Sequence, residues 1–438
     1  VASPERLTYL WHPFTQMRDW AAERGPTIEE ADGAWLVDTD GRRYIDGVSS
    51  LWCNVHGHRH PHIDAALRAQ LERVAHTTML GLSHPPAEQL AGRLIELAGA
   101  PLRRVFYSDS GSTAVEVALK MAFQYWQQAG DARPSRKTFV SLEDAYHGDT
   151  IGSVSVGGID LFHSLYRPLL FGSHRVPAGD PDALAQTLAD HDEEVAAVVI
   201  EPLVQGAAGI RLQPAGYLRQ VRALCDRHDV FLVCDEVATG LGRTGKMFAY
   251  EHEDVVPDFL CLGKGLTGGY LPLAATLTTE RVFEAFLGGY DEFRSFFHGH
   301  TYTGNPLGCA AALASLETFE RERTLERLAP KIELLRQLLA DLIEPLPHVG
   351  ETRQLGLMSG IELVANREAA LPYEPGLRIG HQVTLEARER GAIVRPLGDV
   401  VVLMPPLAIE ADVLEELVEI VADSIAAATE ARELAAAA

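Results

Sequence analysis

Two side chains stand where an apolar run gives way to a loop, and their types suit one kind of chemistry. Asp235 ends the run Phe231-Leu232-Val233-Cys234, and Lys264 follows Phe259-Leu260-Cys261-Leu262, between Gly263 and Gly265. A lysine held out of water can be a neutral amine, able to attack a carbonyl carbon or to carry a proton. A buried carboxylate can keep a proton on an aromatic ring nitrogen, so that the ring draws electrons from carbon. These are the protein groups that pyridoxal phosphate needs, which makes an enzyme the leading reading.

Other residues gain meaning beside that pair. Ser110-Gly111-Ser112-Thr113 lies between a strand-like run and a helical pattern, where free backbone amides favour an anion. Alone it reads as a helix cap; with Asp235 and Lys264 it reads as a phosphate cup. Tyr146, in Tyr146-His147-Gly148-Asp149-Thr150, offers a ring that can stack on a cofactor. Arg395, between Val394 and Pro396, is either snorkelling to water or aimed at a substrate carboxylate. The histidines at 56, 58, 60 and 62 lack helical metal-site spacing and read as a structural loop. Gly240-Leu241-Gly242-Arg243-Thr244-Gly245-Lys246 mimics a nucleotide loop, but Met247 stands where Ser or Thr would hold magnesium. No metal is expected.

The elements needed to position these groups are legible as alternation. Strand-like runs at 104–107, 138–141, 195–200, 231–234, 259–262 and 273–278 are separated by helical patterns, the first carried by Val115, Ala118, Leu119, Ala122, Phe123 and Trp126. That order predicts an α/β protein with a mainly parallel sheet, whose ligands gather at strand carboxyl ends. Residues 56–314 are expected to form this large domain. Residues 315–438 read as a smaller α+β domain with one charged helix over about 316–343, and residues 1–55 as a segment packing against it.

Composition sets outer bounds. The chain has 438 residues, a net charge of -23 and 47% hydrophobic residues, which argues for an ordinary globular protein and against nucleic acid or anionic membrane as partner. Five cysteines without C-x-x-C spacing suggest a reduced compartment. The opening residues show no basic region followed by an apolar core, so a cytoplasmic protein is expected.

Taken in order, Gly57-His58-Arg59-His60-Pro61, Ser110-Gly111-Ser112, Tyr146-His147-Gly148, Glu201-Pro202, Asp235-Glu236-Val237, Gly263-Lys264-Gly265 and Thr301-Tyr302-Thr303-Gly304-Asn305-Pro306 resemble the class III aminotransferases of pyridoxal phosphate fold type I. The resemblance runs from Gly41 to the end. It implies that Lys264 forms a Schiff base with the cofactor, that Asp235 pairs with the ring nitrogen and that Tyr146 stacks on the ring. It further implies a homodimer in which the amides of Gly111 and Ser112 hold the phosphate together with Thr301 of the partner subunit. Small-molecule amine and keto substrates follow, with Arg395 on a carboxylate and Arg243 near the keto substrate.

Within the family, Leu10-Trp11-His12-Pro13-Phe14-Thr15-Gln16-Met17, Ala238, and Arg395-Pro396-Leu397-Gly398 with Met404-Pro405-Pro406 resemble the branch that aminates 8-amino-7-oxononanoate in biotin synthesis. An ω-amine:pyruvate transaminase is the alternative. Phe14 and Leu51 stand where users of S-adenosylmethionine commonly carry Tyr and Trp, which favours lysine as donor even though Trp52 is adjacent.

Overall fold

Val195–Ile200 and Phe231–Asp235 are buried at every position, as strands covered on both faces must be. In the computed structural model, which describes residues 9–437, they lie side by side within a seven-stranded sheet. Its spatial order is Leu102–Ser108, Ala274–Thr279, Phe259–Leu262, Phe231–Asp235, Val195–Ile200, Thr138–Leu142 and His174–Val176. Ala274–Thr279 runs antiparallel to both neighbours, and the other pairings are parallel. The protein has the expected α/β fold.

Side-chain alternation divides each strand between two cores. Phe231 and Val233 join Val115, Ala118, Ala122 and Trp126 of the helix Gly111–Gln128 on one face. Leu232 and Cys234 point the other way, into a core shared with Leu218 and Val221 of the helix Tyr217–His228. A strand covered by helices on both faces holds its last residue still, and Asp235 is such a last residue.

Beyond this sheet, Val349–Leu355, Met358–Leu363, Val400–Leu403 and Arg395–Leu397 form an antiparallel sheet of four strands. A third sheet joins Ile28–Asp32, Trp35–Asp38 and Arg43–Asp46 to Ala392–Ile393. Ile45 pairs with Ala392, Met404 donates its amide to the Gly47 carbonyl at 2.8 Å, and Ser49 Oγ donates to the Met404 carbonyl at 2.7 Å. These ties bring the Ser49–Trp52 turn beside the strands that carry Arg395.

Some elements differ from expectation. The charged helix over 316–343 is two helices, Pro306–Arg321 and Thr324–Leu338. Arg323 takes φ of 53° between them, a left-handed turn that breaks the hydrogen-bond ladder. The first helix begins early because Asn305 caps it, accepting from the Gly308 amide at 2.7 Å with Pro306 at its first position. It therefore runs through the boundary expected near residue 315. Among the described residues no helix is long and apolar enough to cross a membrane.

Candidate active site

Asp235 is 5% exposed and held at both oxygens. One accepts from His147 Nδ1 at 2.8 Å and the other from the Val237 amide at 3.1 Å. Burial pushes the His147 pKa down, but the Asp235 hydrogen bond and the charges of Asp235 and Glu201 more than offset it, and the net shift is upward. His147 Nε2 is buried without a partner among the described residues. The His147 hydrogen bond holds that carboxylate in place at the strand end.

Lys264 follows Phe259–Leu262, the strand beside Asp235. Burial lowers the pKa of its amine, against the opposing charges of Asp235 and Glu201. Its Nζ lies over the Trp52 ring, 4.5 Å from the centroid. Lys264 has φ of 42°, and Ser49, Ser50 and Trp52 have φ of 49°, 61° and 64°. Left-handed backbone at residues other than glycine costs energy and is maintained by surrounding structure, a pattern common at functional sites.

The Gly111–Gln128 helix begins at Ser110, whose Oγ accepts from the Thr113 amide at 3.3 Å. Among the described residues the amides of Gly111 and Ser112 have no protein acceptor, as the first amides of a helix must not. Gly111 is required here: a Cβ on it would lie 2.4 Å from Val237 Cγ1. The Ser112 hydroxyl is tied to Thr150, both to its Oγ1 at 2.8 Å and to its amide at 3.0 Å.

Tyr146 and Glu201 complete the strand-end cluster. The Tyr146 hydroxyl donates to Asp149 at 2.7 Å, and its amide donates to a Glu201 oxygen at 3.1 Å. The other Glu201 oxygen accepts from the Gly206 amide at 2.9 Å. Burial raises the Glu201 carboxyl to about 7, partly countered by His147. Neighbouring Glu236 is buried too, raised to about 8 by burial, and receives the amides of Ala249 at 2.6 Å and Tyr250 at 2.8 Å. His147 and Glu236 carry ties that the sequence does not single out. Each sits inside a motif, but only strand pairing shows which way it faces.

Other predicted residues divide. Arg395 and Phe14 line one cleft of about 830 Å³, with Val48, Ser50, Arg388 and Tyr373. Lys264 and Asp235 are outside that lining, and the Ser49–Trp52 turn joins the two places, since Ser50 lines the cleft and Trp52 covers Lys264. Leu51 is half exposed and also outside the cleft lining. Arg243 is 1% exposed, and its guanidinium donates to the carbonyls of Pro405 at 2.6 Å and Asn54 at 3.2 Å. It ties two loops together and presents no open face to a substrate. Thr301 is exposed and makes no hydrogen bond to the Gly111 and Ser112 amides of its own chain among the described residues.

The nucleotide-loop mimic fails on geometry. Lys246 Nζ donates to the Glu251 carbonyl at 2.8 Å, and a short 3-10 turn, Ala249–Glu253, follows where a phosphate-binding loop needs an α-helix. In the histidine loop His58 bonds Asp46 at 2.9 Å, His60 bonds Glu322 at 2.8 Å and His62 bonds Glu317 at 2.7 Å.

The residues present fit pyridoxal phosphate. A lysine amine of lowered pKa, a fixed carboxylate, two open helix amides and an aromatic side chain meet at neighbouring strand ends.

Comparison with known proteins gives the same answer. Residues 20–425 match the family model described as aminotransferase class-III. An adenosylmethionine-8-amino-7-oxononanoate aminotransferase of Nitratidesulfovibrio vulgaris is 62% identical, over 96% of this chain and 81% of its own length. The protein of the same name from Anoxybacillus flavithermus is 52% identical over 97% and 96%. Among solved structures, that of the Methanocaldococcus jannaschii enzyme of this name superposes with a TM-score of 0.93 at 44% identity, covering 95% of this chain and 96% of the other. An amine transaminase from an uncultivated Pseudomonas species, in its PLP-bound form, gives 0.89 at 37% identity, covering 96% and 99%. A match across nearly the whole chain, on a fold that assembles those strand ends, leaves one conclusion: the chain belongs to the class III aminotransferases.

Proposed function

We propose that the protein transfers an amino group from S-adenosylmethionine to 8-amino-7-oxononanoate, the amination step of biotin synthesis, in the cytoplasm. The relatives' names supply the substrates. The observation that carries the reading onto this chain is the pairing of a Lys264–Asp235 centre with an Arg395-lined cleft through one strained turn. 8-Amino-7-oxononanoate has a carboxylate at one end of an aliphatic chain and a ketone near the other. An arginine set apart from the reacting lysine suits such a molecule.

Pyridoxal phosphate, when bound, supplies an aldehyde that exchanges amines and a ring that draws electrons. Lys264 would hold it through its amine and would move a proton from the donor carbon; burial, which lowers its pKa, suits both tasks. Asp235 would keep a proton on the ring nitrogen, and His147 holds Asp235 in place. Tyr146 would cover the ring, the Gly111 and Ser112 amides would bind the phosphate, and Trp52 shields the lysine from water. Thr301 of a second copy is assigned to the same phosphate, consistent with its exposure on this chain.

A second donor, lysine, is favoured by the surroundings of Leu51. That side chain offers no aromatic face to an adenine, and the Trp52 ring is already occupied by Lys264. Purified enzyme given 8-amino-7-oxononanoate and each donor separately decides the matter. Diamine formed with S-adenosylmethionine supports the first reading, and diamine formed only with lysine replaces it. Turnover of pyruvate with simple amines but none of 8-amino-7-oxononanoate would overturn the substrate assignment and leave the family intact.

A further inference from the structure

The amino ends of the central strands, opposite the Lys264 site, carry a cluster that amino transfer does not use. His174 opens the edge strand His174–Val176, His191 caps the helix Pro181–Asp190, and Glu194 immediately precedes Val195–Ile200. The Glu194 amide donates to the His191 carbonyl at 2.9 Å, a tight turn that brings both side chains to one place. The two imidazoles stack with centroids 3.9 Å apart and 27° between planes. His191 Nδ1 lies 3.6 Å from a Glu194 carboxylate oxygen, and one ligand atom from each residue lies within 4.8 Å of the others. Among the described residues no hydrogen bond engages either imidazole.

We propose that His174, His191 and Glu194 bind a divalent transition-metal ion of the zinc type. Two imidazoles and a carboxylate are a donor set that suits zinc, whereas magnesium and calcium prefer oxygen alone. Zinc holds such donors at about 2.0–2.2 Å, so neighbouring donors stand roughly 3.3 Å apart. Reaching that spacing from the present one takes side-chain rotations that also turn the two stacked rings toward a common point. Glu194 is exposed, which leaves water to fill the remaining position.

The role is a clip. The edge strand pairs on one side only, with Thr138–Leu142, and the ion would tie it to the turn that leads into Val195–Ile200. Binding to the folded chain alone stabilises it by mass action, and turnover at the opposite end of the sheet should not change.

Tag-free holoenzyme, treated with chelator and dialysed, is titrated with zinc chloride by calorimetry beside His174→Ala/His191→Ala and Glu194→Gln. About one zinc ion per protomer is expected for the wild type. Affinity should fall at least about tenfold in Glu194→Gln and further in the double variant, with amino transfer unaltered in both. Glu194→Gln changes an exposed side chain, so it keeps the test open if the double variant fails to fold. A wild type that binds no zinc, or variants that bind it equally well, overturns the site.

Discussion

At Asp235 two hydrogen bonds hold the carboxylate, one oxygen accepting from the Val237 amide and the other from His147. Asp235→Asn keeps the shape but removes the carboxylate proposed above to hold a proton on the ring nitrogen. Turnover is expected to fall by orders of magnitude while the bound cofactor remains visible by absorbance. Near-normal turnover would mean that Glu201 or another group supports the ring. Glu236 permits a separate test of burial. Its carboxyl has a pKa of about 8, against an ordinary value of 4.5. Between those values the folded state binds more protons than the unfolded state, so the Glu236 contribution to stability falls as pH rises through that window. Glu236→Gln removes this dependence. Urea unfolding at several pH values should show the wild type losing stability relative to the variant from pH 4.5 to 8, by up to about 1.4 kcal/mol per pH unit. Parallel curves would place the Glu236 pKa near its ordinary value. None of this was readable from residue order, since Glu236 follows Asp235 like any second acid in a loop and only the folded chain shows it enclosed.

The elements explain which side chains reach the site. Thr138–Leu142, Val195–Ile200, Phe231–Asp235 and Phe259–Leu262 were visible as runs because strands covered on both faces must be largely apolar, whereas Leu102–Ser108, antiparallel at the sheet edge with Arg103 and Arg104 exposed, was legible only over residues 104–107. The edge strand His174–Val176 was missed: three residues with one buried side chain carry too little pattern. Val349–Leu355 was missed for a related reason, being largely polar and paired at the edge of its sheet. At the start of the Gly111–Gln128 helix the chain leaves no room, since an added Cβ would meet Val237 Cγ1 at 2.4 Å. Gly111→Ala should therefore push the helix terminus from Val237 and shift the two open amides. A stability loss of about 1–3 kcal/mol is expected for overpacking of this kind, with cofactor lost on gel filtration. A variant that is equally stable and retains its cofactor would show that the helix end adjusts freely.

The whole molecule poses the question of assembly. Leu80, Tyr290 and Phe297 are 90%, 97% and 71% exposed on the single chain, and Thr301 lies exposed close to Phe297 in sequence. Large apolar side chains left in water favour a second copy, and two-fold dimers are the commonest solution. Light scattering at assay concentration should give twice the chain mass of 47.8 kDa, and a fully active monomer would refute the shared phosphate site. At this scale the sequence was informative about order and silent about contacts. The sequence singles out Lys264, Asp235 and Arg395 by type and setting, and the fold puts the first two at neighbouring strand ends and the third in a cleft, whereas Arg243, expected near the substrate, is turned inward to the carbonyls of Pro405 and Asn54. The turn that joins the cleft to the lysine depends on Ser49 and Met404, far apart in the chain, and no local pattern reveals that tie. The Lys264 site is tested most directly on the intact holoenzyme by borohydride reduction followed by peptide mapping. The pyridoxyl group is expected on the peptide that contains Lys264, and on no peptide in Lys264→Ala. Label on Lys246, or no label on any lysine, would contradict the assignment.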